Sequence, residues 1–198
     1  MKILVVGSGG REHAIIRALK KSPKAETIYA LPGNGGIAAD AICVEGSATD
    51  IDRVVSFSKD NGIDFVVVAP DNPLVLGMVD ALNEAGIATF GPRANAAILE
   101  GSKVFSKNLM KKYGIPTARY ETFDDAHTAV AYIEKMNEYP VVIKADGLAL
   151  GKGVIIAQNF AEAQDAVKSI MEDKAFGASG NHIVVEQFLE GVEVSVLA

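Results

Sequence analysis

The chain has 198 residues, of which 49% are hydrophobic and 22% charged, the balance of a soluble globular protein with enough length for one large domain or two modest ones. Its formal charge of −6 argues against broad nucleic-acid binding, which calls for a basic face, but leaves room for a small anionic ligand held by a few amides and lysines. No apolar run approaches the length of a membrane span or of a signal peptide's apolar region, and the single cysteine, Cys43, excludes an internal disulfide; a cytoplasmic protein is expected, with Cys43 as a buried structural thiol.

The first hundred residues alternate short β-branched runs with amphipathic stretches. Residues 2–6 (KILVV), 27–31, 41–44, 64–69 (DFVVVA) and 88–90 read as strands, and residues 11–21, 52–59 and 72–85 read as helices. Near-continuous apolar strands alternating with helices imply a parallel sheet covered on both faces. After Pro92 the pattern changes. Helical stretches at 94–100 and 102–112 lead through Gly114, Ile115 and Pro116 into a smaller α+β unit. That unit reads as strand 118–122, helix 124–135, strand 141–144, a glycine-rich turn, strand 154–157, helix 161–171 and strand 183–188, with Asp124 and Asn159 as helix caps. The last residues, EVSVLA, read as a further strand. An unpaired apolar strand is a poor terminus, so the natural protein is expected to continue.

Two glycine loops fall at one edge of the first sheet. GSGGRE, from Gly7 to Glu12, follows the first strand and opens a helix, a setting suited to an anion. A dinucleotide fingerprint wants a glycine where Glu12 stands and an acid after the second strand, where the chain reads LPGNGG; the NAD reading fails on both counts. A second glycine-rich run, KADGLALGKGV from Lys144 to Val154, is not a P-loop. Three residues rather than four separate Gly147 from Gly151, Gly153 stands in the hydroxyl position, and a strand follows. It reads instead as a strand–turn–strand flap that closes over phosphates, with Lys144 fixed at the end of an apolar strand.

Taken in order, GSGGREHA, LPGNGG, PDNPLVLGMVDAL, FGP, EGSKVFSKNLMKKYGIPTA, PVVIKADGLALGKGV and VVEQFLEG resemble the phosphoribosylamine–glycine ligase family of the ATP-grasp superfamily, over essentially the whole chain. The resemblance implies an α/β fold: an N-terminal Rossmann-like parallel sheet over 1–101, a linking helix and strand over 102–122, a small ATP-grasp lobe with its glycine-rich flap over 123–190, and the start of a large lobe at 191–198. It also implies joining of glycine to 5-phosphoribosylamine at the expense of ATP, through a glycyl phosphate, in purine biosynthesis. Lys103 and Lys144 are then expected at the ATP phosphates as the catalytic cations. Asp146, Gly147, Gly151, Lys152, Gly153 and Val154 would form the flap over the nucleotide. Glu186, Phe188 and Leu189 would face the adenine edge, and Glu193 the ribose. Gly9, Gly10, Arg11, Glu12, Gly33, Asn34 and Asp71 would belong to the phosphoribosylamine side, with Gly91 and Pro92 closing the junction between lobes.

The chain departs from the family pattern at Asp71, where a glutamate in a GPE string is usual, and at Val192, where an acid is usual. Mg²⁺ or Mn²⁺ is implied, with ligands expected beyond residue 198 and no metal ligand within this chain. Glycine and phosphoribosylamine are the implied partners, with no nucleic acid or membrane, in a monomer or weak homodimer. The rival readings are another ATP-grasp carboxylate–amine ligase and a non-catalytic nucleotide-binding module. His13 reads as a hydrogen-bonding partner rather than a base, His127 and His182 as surface groups. Lys107, Lys111 and Lys112 read as a solvated helix face.

Overall fold

The computed structural model describes residues 1–148 and 153–196, and its backbone divides into two compact units, Met1–Ile98 and Leu99–Ala198.

The first unit is a doubly wound α/β layer structure. Its elements are β1 (Lys2–Gly7), α1 (Gly10–Leu19), β2 (Thr27–Pro32), β3 (Ile42–Cys43), α2 (Ile51–Asp60), β4 (Phe65–Val68), α3 (Asp71–Val75), α4 (Met78–Glu84), β5 (Thr89–Phe90) and α5 (Ala94–Gly101), the last crossing the boundary between units. The strands form one parallel sheet in the order β3-β2-β1-β4-β5. The two-residue period of β1 divides its side chains between two cores. Leu4 and Val6 pack with Val54 and Phe57 of α2 and with Met78, Val79 and Leu82 of α4. Ile3 and Val5 pack with Ile16 of α1 and with Ile37. Because β2 lies on one side of β1 and β4 on the other, the segments after these strands diverge around β1, the place where open α/β sheets take ligands.

The second unit contains α6 (Lys103–Tyr113), β6 (Tyr120–Phe123), α7 (Ala126–Met136), β7 (Val141–Ala145), β8 (Val154–Ala157), α8 (Phe160–Val167) and β9 (Ile183–Gln187). Its sheet is antiparallel, in the order β6-β9-β7-β8. One face is dry. Val141, Ile143, Ala145, Ile183 and Val185 meet Ala129 and Ile133 of α7 and Ala163, Ala166 and Val167 of α8. The opposite face carries Lys144 and Glu186 beside Val142 and Val184, with Val154 and Ile156 of β8 exposed at 42% and 46%.

Several sequence expectations are corrected. The helix expected over 72–85 is two helices, broken at Gly77, whose φ of +87° lies in the left-handed region that the helix cannot use. The cap of α7 is Asp125, which accepts from the Thr128 amide at 2.8 Å, not Asp124. Cys43 is exposed rather than buried, because β3 is a two-residue edge strand with neither face covered. Residues 191–196 form no strand, and Val192, Val194 and Val196 are exposed.

Candidate functional site

In the first unit the two glycine loops are stitched together by backbone and by one side chain. Gly33 N–H donates to the Gly7 carbonyl at 3.1 Å, and Asn34 Nδ2 donates to the Ser8 carbonyl at 2.6 Å. Asn34 Oδ1 in turn accepts from the amides of Gly36 and Ile37 at 2.8 and 2.9 Å. The Asn34 side chain is thus spent on shaping its loop. Both strand ends need glycine: a Cβ on Gly7 would stand 2.6 Å from Glu12 Cγ, and one on Gly33 2.5 Å from Cys43 Sγ.

Glu12 is 4% exposed and folds back to accept the Gly9 amide, the reciprocal half of a capping box, which stabilises the start of α1. Arg11, one residue earlier, points outward, and its Nη2 lies 3.9 Å from Asp71 Oδ2 at the start of α3. His13 Nε2 meets Asp40 Oδ2 at 2.9 Å while Lys20 Nζ meets Oδ1 at 2.7 Å. The Lys20 hydrogen bond, followed by that of His13, holds the Asp40 carboxyl down at about 2. Arg11, Gly9, Gly10 and the Asn34 loop therefore share the switch-point edge, while Glu12 is turned inward.

In the second unit a separate cluster forms around the start of α6. Ser102 caps that helix by accepting the Phe105 amide, and Asp146 reinforces it, accepting the Val104 amide at 3.1 Å and the Ser102 hydroxyl at 3.0 Å. Lys103 Nζ donates to the Gly147 carbonyl at 2.8 Å. Burial depresses the Lys103 ammonium below its ordinary range, against the pull of Asp146. Gly147 has a φ of +105°, and a Cβ there would lie 2.8 Å from Ser179 Oγ, so the turn after β7 requires glycine.

Across the sheet, Val142 pairs with Glu186 and Lys144 with Val184, which sets Lys144 and Glu186 diagonally on one face. Lys144 Nζ forms an ion pair with Glu186 Oε1. Lys107, one helical turn beyond Lys103 on α6, forms another with Oε2 as a charge contact rather than a directed hydrogen bond. Sequence pattern assigns Lys107 to a solvated face, yet its side chain is only 12% exposed. The legible signal was its i, i+4 spacing from Lys103.

Val154 opens β8 opposite Lys144, and Gly153 accepts the Ala145 amide at 2.8 Å. Phe188 is half-buried just after β9, Leu189 is exposed, and Glu193 lies in the exposed stretch 191–196. Gly151 and Lys152 lie outside the described residues. Among the described residues no group of three or more His, Cys, Asp or Glu side chains is placed to hold a metal ion. Asp146 is committed to an amide and a hydroxyl, Glu186 to two ammonium groups, so the donor set around Lys144 does not fit a divalent cation. Among the described residues no helix is long and apolar enough to cross a membrane.

Residues 1–100 match the family described as phosphoribosylglycinamide synthetase, N domain, and residues 101–198 match phosphoribosylglycinamide synthetase, ATP-grasp (A) domain. The phosphoribosylamine–glycine ligase of Caldanaerobacter subterraneus is 48% identical over 198 residues, covering 100% of this chain and 47% of that protein. That of Listeria monocytogenes is 50% identical over 199 residues, again covering 100% of this chain and 47% of the relative. The crystal structure of phosphoribosylamine–glycine ligase from Thermotoga maritima superposes with a TM-score of 0.78 at 31% identity, over 97% of this chain and 45% of that one. The chain thus spans about half the length of the curated relatives it matches. With both of its halves matched in order, the chain belongs to the phosphoribosylglycinamide synthetase family.

Proposed function

We propose that this chain supplies the amine-substrate domain and the nucleotide-binding lobe of an ATP-dependent ligase that joins glycine to 5-phosphoribosylamine, giving glycinamide ribonucleotide, ADP and phosphate. The cytosol is the compartment this reading implies. The observation that carries the nucleotide half is the convergence of Lys103 and Lys107 of α6 with Lys144 of β7 on the face of the small sheet opposite α7 and α8, beside Gly147. Three ammonium groups brought together beside Gly147 offer the cations that a polyphosphate needs as partners. The exposed apolar surface of Val154 and Ile156 supports the same reading, since a flat heteroaromatic ring needs apolar contact on its face.

In the first half-reaction a glycine carboxylate oxygen attacks the γ-phosphorus of ATP. The oxygen–phosphorus bond to glycine forms as the bond to the β-phosphate oxygen breaks, and ADP leaves with that electron pair. Such a transfer asks little covalent help of the protein, so positioning and charge neutralisation dominate. Lys144 and Lys103 fill that role, and neither moves a proton. In the second half-reaction the amine nitrogen of phosphoribosylamine attacks the acyl carbon, phosphate leaves, and the nitrogen releases its proton to water or to the departing phosphate. Exclusion of water, which would otherwise hydrolyse the acyl phosphate, is assigned to the chain segment between β7 and β8.

The amine substrate is assigned to the switch-point edge of the parallel sheet. Gly9, Gly10 and Arg11 present amides and a guanidinium for the ribose phosphate, and Asp71 presents a carboxylate for the amine. Glu12 and Asn34 shape these loops, and Gly33 keeps its loop clear of Cys43. Glu186, Phe188 and Leu189 are assigned to the base and Glu193 to the ribose of the nucleotide. The metal that this family of reactions uses supplies further neutralisation of phosphate charge, and its ligands are assigned outside this chain.

The deciding measurement is ADP release by the protein at its natural full length, with glycine and phosphoribosylamine supplied singly and together. Release that requires both supports the ligase. Release with a different acid or amine, and none with this pair, overturns the substrate assignment.

A further inference from the structure

Glu186 is 6% exposed, and its two oxygens face two different cations, Lys144 at Oε1 and Lys107 at Oε2. The two lysines are not equivalent. Lys144 is 27% exposed and stands near the end of β7, shortly before Gly147. Lys107 is 12% exposed, donates to Thr117 Oγ1 at 2.7 Å, and has its ammonium 5.4 Å from the centre of the Tyr120 ring. The hydroxyl and the aromatic face hold Lys107 where it is, whereas nothing comparable among the described residues restrains Lys144.

A polyphosphate that draws Lys144 toward itself takes that cation from Glu186. A buried carboxylate stripped of every cation is the costly outcome for such a pair, whereas one that keeps a partner is tolerated. We propose that Lys107 is a positioning residue of the nucleotide site: it retains the Glu186 carboxylate so that Lys144 can exchange Glu186 for a nucleotide's phosphates. This rests on the nucleotide reading given above. It assigns to Lys107 no contact with the nucleotide itself. Of the two cations on Glu186, Lys144 is the one held in store until phosphate arrives.

The test compares dissociation constants of ATP and AMP, measured calorimetrically on the protein at its natural full length. Five forms are needed: wild type, Lys107→Met, Lys107→Arg, Glu186→Gln, and Lys107→Met with Glu186→Gln. Wild type is expected to prefer ATP. In Lys107→Met that preference should fall by about tenfold or more, the size of one charge-assisted contact to phosphate. Lys107→Arg should keep it, and adding Glu186→Gln to Lys107→Met should restore it, because a neutral amide no longer detains Lys144. A purely structural lysine would weaken both ligands together and leave their ratio unmoved.

An unchanged ratio in folded Lys107→Met, or no recovery in the double variant, overturns the proposal while leaving the nucleotide reading intact. If Lys107→Met does not fold, Glu186→Gln decides alone. Releasing Lys144 should raise the preference for ATP severalfold, by roughly the strength of the lost ion pair, and a ratio at or below that of wild type overturns the proposal. A wild type that binds ATP no better than AMP refutes the nucleotide reading itself, and the proposal with it.

Discussion

Arg11 Nη2 stands 3.9 Å from Asp71 Oδ2, joining the segment after β1 to the segment after β4 across the point where the parallel sheet divides. Their side chains are 73% and 42% exposed, so the pair contributes at most about 1 kcal/mol to stability. A strongly basic side chain so weakly used by the fold is available to a ligand. Arg11→Ala is therefore expected to leave the urea midpoint close to wild type and ATP affinity unchanged, while amide formation falls by about a hundredfold or more, the loss of a charged phosphate contact. Steady-state turnover of phosphoribosylamine together with an ATP titration checks this. Unchanged turnover removes Arg11 from the substrate site.

The glycines of the two loops are expected to differ sharply. Gly33 has a φ of +71°, and its missing Cβ would lie 2.5 Å from Cys43 Sγ, so Gly33→Ala meets both backbone strain and a clash. A loss of about 1–3 kcal/mol in urea denaturation is expected. Gly10, at the first position of α1, has open space where a Cβ would go. Gly10→Ala should leave stability unchanged or raise it by up to about 1 kcal/mol, since alanine favours the helix. Equal losses for the two variants would show that loop geometry does not discriminate between them.

Much of the parallel sheet was legible because its strands are near-continuous β-branched runs and its helices repeat every three to four residues. The break at Gly77 was not, since a lone glycine within an apolar periodic stretch is compatible with an uninterrupted helix until its φ is known. Lys144 stood out through the glycine-rich run beside it, whereas Lys103 was reached only through the resemblance of EGSK to the family's string. Lys107 did not stand out, because its burial depends on Tyr120, Thr117 and Glu186, which lie elsewhere in the chain and reach it only through the fold. Glu12 was legible as a loop residue. That its carboxylate turns inward onto Gly9 is a matter of cap geometry rather than of composition.

Asp40 links α1 to the loop after β2 through Lys20 and His13, and these contacts lower its carboxyl from the usual 3.8 to about 2. A depressed carboxyl stabilises the folded state above its unfolded value, and that contribution disappears as pH falls through the folded one. Asp40→Asn should therefore be less stable than wild type at pH 7. The gap should persist down to about pH 4 and close between pH 4 and pH 2. Paired urea titrations across that window test it. A gap that stays constant to pH 2 would assign the effect to packing rather than to charge.

Lys144 stands one residue before the end of β7 and pairs with Glu186, which keeps Lys107 when Lys144 is removed. Lys144→Ala should consequently cost the fold little, because Glu186 is not left as an isolated buried charge. The nucleotide should feel the loss far more. A charge-assisted contact to phosphate contributes about 1.5–3 kcal/mol, so ATP affinity should fall by about ten- to a hundredfold. AMP, which reaches fewer phosphate partners, should lose less. Calorimetric titration of both ligands, with thermal unfolding as the control for folding, separates these effects. Equal ATP affinity in a folded Lys144→Ala would remove this lysine from the phosphate site, and an equal loss for both ligands would move its role to the nucleoside.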